Sequence, residues 1–290
     1  MKKESKLTPY LEWTALFILI IGIILLTNKL DFVKNLKPDT TMGKYIMIIG
    51  IFFSSFVVLG FHELGHLITG IVQGFKFELF VVGPLGIKRE HGKIKFYLNK
   101  NLGYYGGIAA TIPKDDHPDN PKKFANVLLG GPIASIIFAI ICFLISYFIG
   151  KPLGILFYSG GTISIAIFFA TTIPSKTGMF FTDRKRYQRL TKPGKDQEVE
   201  LAILRIMGNY SKDNSYLNIC RNDIDILISD DIPFNHFFGL SSLICFQLEK
   251  NKIVEAQVLE DYKEASKKMS KKIVVAFDKE IEKYKEKTSN

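Results

Sequence analysis

Four stretches of this chain carry no charged residue: Trp13 to Asn28, Tyr45 to Phe61, Phe124 to Gly150 and Leu153 to Ile173. With its flanks, each holds roughly 18 residues or more, close to the ~20 that a helix rising 1.5 Å per residue needs to cross a ~30 Å hydrocarbon core. The sequence is 47% hydrophobic yet 23% charged, and the two classes are segregated along it. The expected fold is therefore mostly α: a polytopic membrane protein of about four transmembrane helices, spanning about 11–28, 45–73, 124–150 and 153–174. The first apolar run is too long for a signal peptide and lacks a small-residue cleavage site, so it reads as an uncleaved signal anchor.

The second run does not end where its charge-free part ends. It continues through His62-Glu63-Leu64-Gly65-His66 and then through Leu67, Ile68, Ile71 and Val72. On a helix, side chains four apart share a face, so the His62 and His66 imidazoles can hold one Zn²⁺ while Glu63, one position round, reaches water at the metal. Ionisable groups at membrane depth cost about 2.5 to 3.5 kcal/mol each on insertion scales and mark function. Lys114 to Asp119 again sets a histidine, His117, among carboxylates, but the neighbouring Pro and Asn residues read as a solvated loop. His236 reads as an ordinary core or surface histidine.

A net charge of +10 suggests nucleic acid only until the basic residues are placed. Counting Lys and Arg near span ends gives Lys2, Lys3 and Lys6, nine from Lys76 to Lys123 and seven from Lys176 to Lys195. The other side receives only Lys29, Lys34, Lys37, Lys44 and Lys151. Nineteen against five is a topology signal that puts both termini in the cytosol. No nucleic-acid partner is expected. Abundant Lys, Ile and Phe suggest an AT-rich bacterial genome and hence a bacterial plasma membrane. Three cysteines without metal spacing, Cys142, Cys220 and Cys245, read as free thiols.

Between the second and third spans, residues 75–98 alternate apolar and charged positions, with turns at Gly83-Pro84 and His91-Gly92. A small β-hairpin is expected there. Its edge could pair with an extended substrate segment, or the hairpin could simply cap the helix ends. Two domains follow: a transmembrane domain over 1–195 and a helical cytosolic appendage over 196–290. Apolar periodicity in the latter predicts helices near 196–207, 216–228, 235–248, 253–269 and 271–285.

Two further segments complete the picture. The third span carries Gly130-Gly131-Pro132 with Ala134 and Ser135, small residues that permit close helix approach, and a proline that loosens local backbone bonding. The fourth span ends in Pro174, followed nine residues later by Asp183 at the cytosolic boundary. Over roughly residues 45–190 these segments resemble the site-2 protease family of intramembrane zinc metalloproteases. That family carries HExxH in one span, a Gly-Pro motif in the next and an Asn-x-x-Pro…Asp-Gly motif. The resemblance matches His62, Glu63 and His66, then Gly131 and Pro132, then Pro174 and Asp183. It implies that Asp183 is the third zinc ligand and Glu63 the catalytic residue. Thr171 stands where the family has Asn, and Arg184 where it has Gly. No inserted PDZ-like module is visible, so substrate filtering falls to the hairpin or the C-terminal helices.

The expected activity is hydrolysis of a peptide bond in or near a transmembrane segment, with a membrane-embedded protein or peptide as substrate and the lipid bilayer as surroundings. Oligomeric state is not legible. Two rivals stand beside this reading. One is a CAAX-prenyl-endopeptidase-like metallopeptidase with Glu198 or Glu200 as third ligand, and the other is a catalytically silent membrane scaffold of the same fold.

Overall fold

The computed structural model describes residues 31–289 except 37, 91, 152, 178 and 179. A short helix α1 (Asp31–Leu36) leads to the long α2 (Thr41–Val72). Next come strands β1 (Lys76–Val82), β2 (Leu85–Glu90), β3 (Lys93–Leu98) and β4 (Ile108–Ile112), then helices α3 (Asn120–Ile149) and α4 (Leu153–Thr172). A two-stranded ribbon, β5 (Lys176–Thr177) and β6 (Phe180–Phe181), precedes α5 (Asp183–Thr191). The remainder is helical: α6 (Lys195–Asp213), α7 (Arg221–Ile228), α8 (Pro233–Asn251), α9 (Ala256–Ser266) and α10 (Lys271–Ser289).

Among the described residues three helices, α2, α3 and α4, are long and apolar enough to cross a membrane. They correspond to the expected spans at 45–73, 124–150 and 153–174. The span expected at 11–28 lies outside the described residues. The 32 residues of α2 extend about 48 Å at 1.5 Å each, well beyond the hydrocarbon core. Its outer face exposes Ile46, Ile49, Phe52, Phe53 and Val57, as a lipid-facing surface would.

The chain divides into two compact units. One comprises residues through Gln73, Phe77–Thr111 and Asn126–Tyr187; the other comprises Gly74–Lys76, Ile112–Ala125 and the chain from Gln188 onward. Within the first, small residues set how closely the spans approach. A Cβ on Gly130 would meet the Gly65 carbonyl oxygen at 2.5 Å, so α2 and α3 touch backbone to backbone at that crossing. Ser164 of α4 donates to the Ser135 carbonyl of α3 at 2.8 Å, satisfying a buried hydroxyl between two apolar helices.

The expected hairpin proves to be part of a four-stranded sheet in the order β3-β2-β1-β4. β2 pairs antiparallel with β1 (Leu79 opposite Lys88) and with β3 (Leu85 opposite Leu98). Gly83, at φ +54°, makes the first turn. The fourth strand escaped the sequence reading because Ile-Ala-Ala-Thr-Ile has no polar alternation to give a two-residue period. Leu85, Ile94, Phe96 and Leu98 are exposed.

In the second unit five helices, α6 to α10, enclose a core in which Val199, Ala202, Ile224, Leu227, Phe237 and Cys245 are fully buried. The Phe237 ring stacks on Tyr262 at 4.8 Å. Buried charges are paired: Arg189 with Glu200 at 3.0 Å, and Arg205 with Asp223. All three cysteines are free, as expected, and burial, aided by the Glu280 carboxylate, pushes the Cys245 thiol up to about 12. His236 meets the Ile228 carbonyl, the ordinary satisfaction expected of it.

Candidate metal centre

The apolar α2 helix carries His62 and His66 on one face, one turn apart, and both are buried. Asp183 reaches them from the start of α5. The nine-residue interval after Pro174 would be too long for a tight turn, but β5 and β6 fold it back on itself, with Lys176 opposite Phe181. Thr182 then locks the ribbon's base. Its hydroxyl donates to the Ile173 carbonyl at 2.9 Å and accepts from the Ser175 N–H at 3.1 Å. The residue that follows is Asp183, so the ribbon aims it.

The three donor atoms form a nearly equilateral triangle. His62 Nε2 and His66 Nε2 are 3.3 Å apart, and Asp183 Oδ2 lies 3.3 Å from the first and 3.4 Å from the second. Atoms about 2.0 to 2.1 Å from a common tetrahedral centre stand about 3.3 to 3.4 Å from one another. Two nitrogens and one carboxylate oxygen are also a donor set suited to Zn²⁺, with a fourth position left for substrate chemistry.

Hydrogen bonding on the far side of each ring explains why these atoms face inward. His66 Nδ1 lies 2.7 Å from the Val127 carbonyl, which can only accept, so Nδ1 carries the proton and Nε2 presents a lone pair. His62 Nδ1 lies 2.9 Å from the Ser135 hydroxyl. Asp183 Oδ2 is buried and has no hydrogen-bond partner among the described residues. Lone pairs converging in a buried space repel one another unless a proton or cation lies among them. Burial alone raises the Asp183 carboxyl, but the two imidazoles beside it, when protonated, more than offset this and hold it below the ordinary carboxylate range. A divalent cation acts in the same direction.

Glu63 is held from the sheet. The Ala109 backbone faces its carboxylate, and a Cβ on Gly107 would stand 2.8 Å from Glu63 Cγ and 2.9 Å from Oε1. Gly107, at φ +94°, therefore meets both a conformational and a spatial need. Gly131 serves the metal centre likewise, because a Cβ there would overlap His66 Nε2 and lie 2.8 Å from His62 Cε1. Pro132 offers no N–H to the Leu128 carbonyl one turn earlier, which opens the helical bonding beside Val127.

All four residues marked by the sequence, His62, Glu63, His66 and Asp183, therefore meet here. Ser135, Val127 and Ala109, which stand beside them, carry no such mark. Ser135 was detectable in principle: it stands four residues after Gly131, on the same helical face. The others act through backbone atoms, which a sequence does not distinguish. His117 and Asp119 form only a local exposed turn, with the Asp119 N–H donating to His117 Nδ1 at 3.1 Å. Glu200 is engaged by Arg189 and Glu198 is exposed, so the carboxylate brought to the imidazoles is that of Asp183.

Alongside Asp183 an apolar cavity of about 380 Å³ opens between the Leu128–Ile137 face of α3 and Phe168 and Thr172 of α4.

No curated protein and no solved structure matches the chain significantly. The model of peptidase family M50 matches residues 49–289, which include HExxH, the Gly131-Pro132 pair and Asp183. With that match and three helices apolar enough to span a membrane, the chain belongs to peptidase family M50, the site-2 protease family of membrane metallopeptidases.

Proposed function

We propose that this chain is a zinc endopeptidase that hydrolyses a peptide bond within or beside a membrane-spanning segment of its substrate. The observation that carries the reading is the triangle of His62 Nε2, His66 Nε2 and Asp183 Oδ2, whose sides of 3.3 to 3.4 Å suit one tetrahedral cation. Zn²⁺ bound there supplies Lewis acidity, activating water and polarising the scissile carbonyl. Glu63 stands one residue from His62, its carboxylate packed against Gly107. It takes the proton from the attacking water and delivers it to the leaving amine, so that one carboxylate serves as base and then as acid. Val127 and Ser135 hold the two rings in the orientation that keeps both Nε2 atoms on the centre.

A helical substrate buries its carbonyls in its own hydrogen bonds and must be extended before it can react. Of the two sheet edges, β4 is the one that begins beside Glu63, immediately after Gly107, so an extended segment is best placed along β4, not along β3. The distribution of basic residues supports both termini facing the cytosol, with the centre near the cytosolic end of α2.

The test is the purified full-length protein in lipid with a membrane-spanning peptide. Stoichiometric zinc, two cleavage products whose masses sum to peptide plus water, and loss of both products on chelation are expected. A zinc-loaded protein that binds such peptides but never cuts them would favour the silent scaffold instead.

A further inference from the structure

Arg184 follows the metal-facing Asp183 and, with it, lines the apolar cavity between α3 and α4. The cavity volume of about 380 Å³ falls in the range of small-ligand pockets, about 300 to 1,000 Å³. Aside from these two side chains and the Thr172 hydroxyl, which donates back to the Phe168 carbonyl, its wall is hydrocarbon. A side chain entering the wall beyond Asp183 is therefore aliphatic or aromatic.

Among the described residues Arg184 is the one cationic residue of that wall. Helix stability does not explain it, because a cation in the first turn of α5 opposes the helix dipole. Ion pairing within the protein does not either. Arg184 Cζ lies over the Tyr187 ring, 5.5 Å from its centre, and Asp183 directs Oδ2 at the two imidazoles. Arg184 is exposed, free to meet whatever occupies the cavity, and a guanidinium pairs best with a carboxylate in two parallel hydrogen bonds.

We infer that Arg184 is a specificity-determining residue that takes an acidic side chain of the substrate. The preferred peptide then carries an aliphatic or aromatic residue beside the scissile bond, filling the cavity. A Glu or Asp lies within about two or three residues of it, on one side or the other, along extended chain at about 3.3 Å each, the reach of an arginine next to the metal ligand. This rests on the reading of the site as a peptidase.

The experiment uses the full chain in lipid nanodiscs and one spanning peptide, with Leu at its cleavage point and Glu, Gln or Lys placed two or three residues to either side. Wild type should favour Glu over Lys by about 10- to 100-fold in kcat/KM, the scale of one charge-assisted hydrogen bond. Arg184→Ala should lose that preference, Arg184→Glu should invert it, and Arg184→Lys should restore part of it, all with unchanged zinc content. The same order should appear in Kd for uncleaved peptide on Glu63→Gln protein, a readout that needs no turnover. If wild type cuts the peptides with no charge preference, the inference is wrong while the peptidase reading stands. If it cuts none of them, the peptidase reading itself fails. Loss of zinc in Arg184→Ala would instead make Arg184 a support for Asp183. A dependence on the nanodisc's anionic lipid fraction, with no peptide preference, would assign it to a lipid phosphate, and either result overturns the inference.

Discussion

Gly131 faces His66 so closely that any side chain would crowd the two imidazoles of the candidate metal centre: a Cβ would lie 2.7 Å from His66 Cε1 and 2.8 Å from His62 Cε1, besides overlapping Nε2. Alanine is the better helix former by about 1 kcal/mol, so Gly131→Ala should not unravel α3. It should instead lower zinc occupancy several-fold at fixed free zinc. The control is Gly160→Ala, whose Cβ meets nothing nearer than Cys142 Sγ at 3.6 Å and which should retain full zinc. Equal zinc in the two purified variants would separate Gly131 from the metal centre.

Ser135 acts one bond further out, through His62 Nδ1 at 2.9 Å. Removing an outer partner of a ligating histidine typically lowers metal affinity about 10- to 100-fold, and Ser135→Ala should do so without unfolding, since its carbonyl still receives Ser164. Competition with a zinc-selective chelator measures this directly. An unchanged affinity would mean that the hydroxyl does not hold the ring.

Glu63→Gln should keep zinc and fold while lowering turnover by about 10³-fold or more, because the amide can neither accept the water proton nor return it. Cleavage within a few-fold of wild type, with products verified by mass, would rule out Glu63 as the proton carrier.

Asp183→Ala removes the one carboxylate oxygen of the triangle and leaves two imidazoles, short of the three protein ligands usual for a catalytic zinc. Most zinc and essentially all activity should go. Asp119→Ala, in an exposed turn with His117, should change neither. Metal analysis of the two proteins side by side decides the matter, and full occupancy in Asp183→Ala would refute the ligand assignment whatever its activity.

Orientation rests on charge. Reporters fused after Asn101 and after Asn290 should both be cytosolic, and one placed between Lys29 and Lys44 external. An external reporter after Asn290 would move the metal centre to the opposite leaflet.

The local content of the site was legible from the chain alone because its signals are short-range. Histidines four apart share a face on any helix, and charge-free runs of span length have few alternatives to a membrane. Periodicity also located α6 to α10, whose buried faces recur at helical spacing, although α6 runs on to Asp213, past the expected Met207. Asp183 is marked in the sequence only by its depth at the cytosolic end of a span and by resemblance, since nothing in Pro174 to Asp183 says that the chain doubles back. That is decided by the β5–β6 ribbon and by Thr182 bonding across its base. β4 had no pattern of its own, and it lies beside Glu63 through its backbone, which involves no side chain that a sequence could display. Composition and period thus determined which segments are apolar, which are helical and which side chains can bind a metal. Whether three such side chains, 121 residues apart at the extremes, converge within 3.4 Å was decided by the packing of Gly65 on Gly130 and by the fold of one short ribbon, contacts set by shape rather than by any local code.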